Sequence, residues 1–204
     1  MLSRRAAALR HQVAKLARAF DDARFDLLHG VDTGGYIRRE ELALDRSSHD
    51  YLASPRRKVV AALRALPVDL RHFTFVDMGC GKGRVLLIAR KFQFRQVIGV
   101  ELSEKLYRTA VRNTRRFPDV SVVHGDAAHY PMPAGPCVLF LFNPFSENVL
   151  ESVTTNIERR FTQDASPVYV IYLSPEFQAP FETRQRFRRL PYKSRNVNIY
   201  VAEA

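Results

Sequence analysis

The segment that most restricts the fold of this chain is Phe75-Val76-Asp77-Met78-Gly79-Cys80-Gly81-Lys82-Gly83-Arg84, which runs straight into Val85-Leu86-Leu87-Ile88-Ala89. An apolar strand, a turn of the form D-x-G-x-G-x-G and an apolar helix follow one another without a spare residue. Alternate glycines permit positive φ and remove the Cβ atoms that would hold a ligand off the backbone. A nucleotide-like ligand can then lie on the turn with its polar tail at the helix N-terminus. The spacing differs from G-x-G-x-x-G, whose third glycine sits inside the helix.

Three later strand ends fall in register with this turn. Gln96-Val97-Ile98-Gly99-Val100 ends in Glu101, 20 positions after Gly81. That is the distance at which a βαβ unit returns a carboxylate to the same sheet edge, where it can accept bonds from ribose hydroxyls. Val120-Ser121-Val122-Val123-His124 reads as a third strand, followed by Gly125-Asp126-Ala127. Pro136–Phe142 reads as a fourth, ending in Asn143-Pro144-Phe145. Asn143 and the Pro144 carbonyl are acceptors that can hold an N–H donor, and Phe145 is an apolar wall; the same residues also suit an ordinary turn.

The order of these elements resembles the class I (seven-strand) S-adenosylmethionine-dependent methyltransferases. VDMGCGKGRVLLIAR, FNPF and the His29-Gly30-Val31-Asp32-Thr33-Gly34 segment are similar to small bacterial members of unassigned substrate. The glycine motif is also similar to that of seven-strand lysine methyltransferases. The resemblance implies an α/β, Rossmann-like seven-stranded sheet, mostly parallel, with one antiparallel strand in a C-terminal hairpin and helices on both faces. It implies S-adenosylmethionine as cofactor, held by Asp77, Gly79, Cys80, Gly81, Gly83, Glu101, Leu102, Asp126, Ala127, Asn143 and Tyr51, with the acid at Asp126 accepting from the adenine amino group. Asn143, Pro144 and Phe145 are the expected catalytic residues. Enzymes methylating planar amines carry Asn/Asp-Pro-Pro-Tyr/Phe there, and this chain has one proline fewer.

The expected reaction is methyl transfer to a nitrogen of a protein side chain or small amine. RNA or DNA is an alternative acceptor, non-catalytic binding of S-adenosylmethionine is another reading, and a nicotinamide dehydrogenase is a third, whose glycine spacing is not met. Positioning and exclusion of water suffice for in-line transfer, so no metal is expected. The six histidines show no ligand pair at helical spacing, and the two cysteines, Cys80 and Cys137, form no disulfide framework, which fits a reducing cytoplasm. No apolar run is long enough to cross a bilayer.

Residues 56–204 are expected to form the cofactor-binding domain, with a helix from Arg56 to Leu66, a helix from Ser146 to Phe161 capped by Ser146, a short helix opened by Ser174-Pro175-Glu176, and a hairpin of Phe187–Leu190 with Asn196–Val201. Residues 1–55 are expected to be an N-terminal helix plus a loop covering cofactor or substrate, including the polar stretch 45–50. The first 20 residues hold Arg4, Arg5, Arg10, Lys15 and Arg18, no acid, and apolar residues at helical period; a packed helix, a transit peptide and a surface-seeking basic helix share that pattern. Net charge is +11, with 26 arginines to six lysines. Segment 184–195 has six cations and no acid, with Phe187 and Tyr192 among them. It reads either as a polyanion-binding surface or as a solvated face.

Overall fold

A computed structural model describes residues 2–42, 44, 48–143, 145–194 and 196–203, the first ten of these and residue 14 by backbone alone. Pro144, Asp45, Arg46, Ser47 and Arg195, for which the sequence carries expectations, lie outside the described residues. In chain order the helices are α1 (Leu2–His29), α2 (Arg56–Arg64), α3 (Arg84–Ala89), α4 (Glu104–Thr114), α5 (Glu147–Arg160) and α6 (Ala179–Glu182). The strands are β1 (Tyr36–Ile37), β2 (Tyr51–Leu52), β3 (Thr74–Met78), β4 (Gln96–Glu101), β5 (Val120–His124), β6 (Cys137–Phe142), β7 (Val168–Leu173), β8 (Phe187–Leu190) and β9 (Val197–Ala202).

Seven strands form one sheet in the order β5-β4-β3-β6-β7-β9-β8. Only β9 runs against the rest: it pairs antiparallel with both β7 and β8, whereas β3, β4, β5, β6 and β7 pair in parallel. The expected Rossmann-like sheet with one reversed strand is therefore present. Its inner strands are apolar on both faces, as strands covered by helices on both sides must be. Alternate side chains of β6 divide between two layers: Val138 and Phe140 pack with α2 and α3, and Leu139 and Leu141 pack with α5. The chain moves outward from β3 through β4 to β5, then returns to β6 on the other side of β3. The crevice at that reversal, above the strands' carboxyl ends, is where a ligand fits such a sheet.

Several local expectations shift. Ser146 stands before α5, but its side chain makes no capping bond. The short helix begins at Ala179, not Ser174; Ser174 takes φ +51° and its N–H bonds Asn196, so the chain turns there instead. The N-terminal extension joins the main core: Phe25 of α1 packs with Val59 and Leu63 of α2 and Leu86 of α3. Arg84, at the first position of α3, is 2% exposed. Its guanidinium pairs with Asp22, lies 3.6 Å from Asp26 and donates to Thr33 Oγ1 at 2.9 Å. The ring of Phe25 stacks beneath it at 4.7 Å.

Arg84→Ala removes the only guanidinium between two largely buried carboxylates. Breaking a buried pair in this way costs about 3–5 kcal/mol, and the residual water access of Asp22 and Asp26 places the expected loss near 3 kcal/mol. Urea unfolding measures it, and proteolysis should reach segment 30–50 faster in the variant. Wild-type stability with wild-type proteolysis would show that α1 does not rest on α3.

Candidate active site

The carboxyl ends of β3, β4 and β6 enclose a cleft of about 340 Å³. The glycine turn forms its floor. Gly79 and Cys80 both donate their N–H to Val100 O, at 2.9 and 3.0 Å, which ties the turn to β4. Glu101 completes the tie. One of its oxygens accepts from Gly81 N–H at 2.8 Å and the other from Ser103 N–H at 2.9 Å. Each oxygen keeps a second lone pair, and the carboxylate lines the cleft. Burial pushes the Glu101 carboxyl above its usual range, while the N–H bonds from Ser103 and Gly81 pull it back.

Asp77 has no such partners. It is 3% exposed and lines the cleft, and among the described residues it has no hydrogen bond or counter-ion. Burial, reinforced by the neighbouring Glu101 charge, pushes its carboxyl well above the usual carboxylate range. A buried acid facing an open space without a donor is suited to a ligand that brings a positive charge.

The extension roofs the cleft. The ring of Tyr51 lies on Gly81 so closely that a Cβ there would come within 2.3 Å of it. Tyr51 is anchored by its hydroxyl, which donates to Thr33 O at 2.6 Å. Lys82 bonds Asp32 at 2.8 Å and Gly34 O at 3.0 Å, and Asn113 of α4 bonds both Asp32 O and Lys82 O. Both cations of the turn, Lys82 and Arg84, are thus paired with acids of the extension. Tyr51 lies against Gly81, and Ala110 of α4 lies against Gly83 at 3.4 Å. Gly83 is not part of the cleft lining, whereas Tyr51, Asp77, Gly79, Cys80, Gly81, Glu101, Leu102, Asp126, Ala127, Asn143 and Phe145 are. Asp126 accepts from Ala128 N–H at 2.9 Å and so also caps its own turn. Cys80 is buried, and desolvation with the nearby acids Glu101 and Asp77 pushes its thiol well up.

The far end of the cleft gathers residues that the sequence did not associate. Asn143 takes φ +40° as β6 ends, a conformation asparagine tolerates better than most residues. Its Nδ2 donates to Glu176 Oε2 at 2.8 Å, and its Oδ1 accepts from Tyr172 hydroxyl at 3.2 Å. His49 Nε2 lies 3.9 Å from the same Glu176 oxygen and 3.2 Å from Phe145 O. Ser48 and Phe145 form an antiparallel bridge that fastens the roof to this end. His49 and Glu176 carry no motif; they meet only because the extension and the β7 end converge.

The basic segment has internal uses. Arg184 pairs with Glu151 and Glu158, Arg188 with Glu203, and Arg189 with Glu182 and Asn198. Arg186 bonds Glu203 O and lies over Phe161. Phe187 is buried edge-on against Phe181, so it offers no face for a base to stack on.

Residues 75–164 match the profile of a methyltransferase domain. The trans-aconitate 2-methyltransferase of Afipia carboxidovorans is 35% identical over 99 residues, which are 47% of this chain and 38% of that enzyme. The chain thus spans well under half of that relative. Two solved structures share the fold: a methyltransferase by assignment from Pseudomonas syringae (TM-score 0.56, 18% identity, 73% of this chain and 97% of that one) and the Escherichia coli protein yhhF, likewise assigned (0.55, 18%, 73% and 84%).

Glu101→Gln keeps the size of the side chain but turns an amide N–H toward Gly81 N–H or Ser103 N–H. One buried donor loses its partner, at a cost of about 1–3 kcal/mol. Thermal or urea unfolding should register that loss without any ligand present. No loss would mean that the strand-end carboxylate is not what holds the turn.

Proposed function

We propose that this protein, whose residues 75–164 match a methyltransferase domain, is a class I methyltransferase that transfers a methyl group from S-adenosylmethionine to the nitrogen of an amine, in a protein side chain or a small molecule. The observation that carries the cofactor assignment is Asp77, a buried carboxylate without a counter-ion at the glycine turn. S-adenosylmethionine presents an ammonium and a sulfonium and no phosphate. The turn's two cations are consumed by Asp22 and Asp32, so little positive charge is left for a pyrophosphate, and the dehydrogenase reading loses its support. Glu101 retains the acceptor capacity that ribose hydroxyls need. Asp77, Glu101 and the backbone of Gly79–Gly81 would hold the cofactor, with Tyr51 as its roof and Asp126 toward the adenine.

When bound, the cofactor supplies a methyl group already activated on a cationic sulfur. The protein's part is to position the acceptor and exclude water. Asn143 and His49 stand at the acceptor end, with the Glu176 carboxylate bonded to one and facing the other. Such a wall draws a cationic amine and accepts its N–H bonds. An amine attacks only when neutral, and an apolar partner surface such as Phe145 favours loss of its proton. A carboxylate acceptor, such as the trans-aconitate of the Afipia enzyme, would meet Asp50 and Glu176 instead of an open cation. That contrast supports an amine.

Two measurements test this reading. Binding a cation beside Asp77 lowers its raised pKa, so cofactor binding should release a proton, and affinity should rise with pH until Asp77 is ionised in the free protein. Calorimetry in two buffers of different protonation enthalpy reports that proton, and Asp77→Asn should abolish both effects. Equal heats in both buffers, with full affinity in Asp77→Asn, would remove Asp77 from the cofactor site.

At the other end, Asn143→Ala should leave cofactor affinity within about 0.5 kcal/mol and lower turnover by at least ~100-fold. Glu176→Gln keeps an acceptor but loses the charge, so it should raise KM for a cationic amine with little change in cofactor binding. Unaltered turnover in both variants would make Asn143 a turn residue only.

A further inference from the structure

Among the described residues, the face of α1 that points away from the domain has no partner. Its other face is seated: Phe25 is in the core, Asp22 and Asp26 hold Arg84, and Arg18 donates to Ala53 O. On the opposite side Val13, Leu16, Phe20 and Leu27 are 57%, 70%, 72% and 84% exposed. Their spacings of three, four and seven residues place them within a stripe roughly 60° wide at 100° per residue. Phe25 falls on the far side of the same helix wheel. Over 28 residues α1 is about 42 Å long. Residues 12, 13, 15–17, 19 and 20 of it are exposed, and Arg18 is half-buried.

We propose that this face of α1 docks on an anionic lipid bilayer and lies in its surface. The first 20 residues supply five cations and no acid, beside an apolar stripe. A lipid surface answers both at once: acyl chains receive the leucines and the phenylalanine, and acidic headgroups attract the arginines and lysine. A second copy of the chain is a poorer occupant, because it would set the cations of this basic segment against their own copies. Nucleic acid would neutralise the cations and leave Leu16 and Phe20 in water. The helix lies on the bilayer instead of spanning it, since no helix among the described residues is long and apolar enough to cross.

The chain contains no tryptophan, so one placed on the stripe is a clean reporter. The full chain carrying Leu16→Trp should shift its emission to the blue with vesicles of equal phosphatidylglycerol and phosphatidylcholine. It should not shift with phosphatidylcholine alone. In flotation, the wild type should rise with the anionic vesicles and be released by salt. Arg10→Glu with Lys15→Glu should weaken that binding by tenfold or more, and so should Leu16→Glu with Phe20→Glu. Both double variants should unfold at the wild-type temperature; Lys15, Leu16 and Phe20 are exposed. Unchanged emission with the anionic vesicles would overturn the proposal. So would equal binding to both kinds of vesicle. A dimer in sedimentation that Phe20→Glu separates, without vesicle binding, would give the face to a second copy and also overturn it. Retention on duplex DNA or RNA without vesicle binding would do the same.

Discussion

The Glu101 carboxylate joins three pieces of chain that are distant in sequence. It receives one N–H from the glycine turn and one from the residue before α4, while its own carbonyl receives Gly125 N–H from the end of β5. Burying a carboxylate is costly unless donors replace its water, and here backbone donors do so. The turn cannot move without exposing that charge to an unfavourable surrounding. The floor of the cleft therefore follows from one buried acid and its two hydrogen bonds. Asp77, next to it and without donors, keeps the unfilled demand for a positive partner.

The roof depends on a second set of charges. Lys82 and Arg84 belong to the turn and the first position of α3, and they reach outward to Asp32 and Asp22. These pairs seat α1 and the loop after it, and the loop brings Tyr51 down on Gly81. The floor and the roof are thus mechanically linked: a residue larger than glycine at position 81 would displace the tyrosine, and loss of Arg84 would release the helix. The same pairing leaves Asp77, Glu101, Asp50 and Asp126 as the acids that line the cleft, with Glu176 bonded to Asn143 at its end. Such a field suits cationic ligands and disfavours phosphates. The proposed amine acceptor is consistent with it.

The strands and the closing hairpin were legible in the sequence as short-range pattern, the seven-stranded sheet with its reversed strand was implied by the family resemblance, and the strand order came from the structure. Apolar runs of five to seven residues, alternating with helical periods, dictate strands buried on both faces. The glycine turn and the acid 20 residues later mark one edge of that sheet. Ser174 was misread as a helix start because Ser-Pro-Glu is a good helix opening; hydrogen bonding to Asn196 of the hairpin overrode it. The arginines of 184–189 read as an open basic surface, since their acids lie on α5, on α6 and after β9, far away in sequence.

By itself, the sequence determined where the strands end: Asp77, Glu101, Asp126 and Asn143 lie at or beside the ends that local periodicity marks. Only the tertiary structure decided what each of them faces. Asp77 and Glu101 are equivalent carboxylates in the sequence, yet one has two backbone donors and the other none. Asn143 acquired Glu176 and Tyr172 as partners, and His49 came beside them from almost a hundred residues earlier. Periodicity is a property of neighbouring residues, whereas the partners of a side chain are set by the packing of elements whose separation along the chain leaves no local trace.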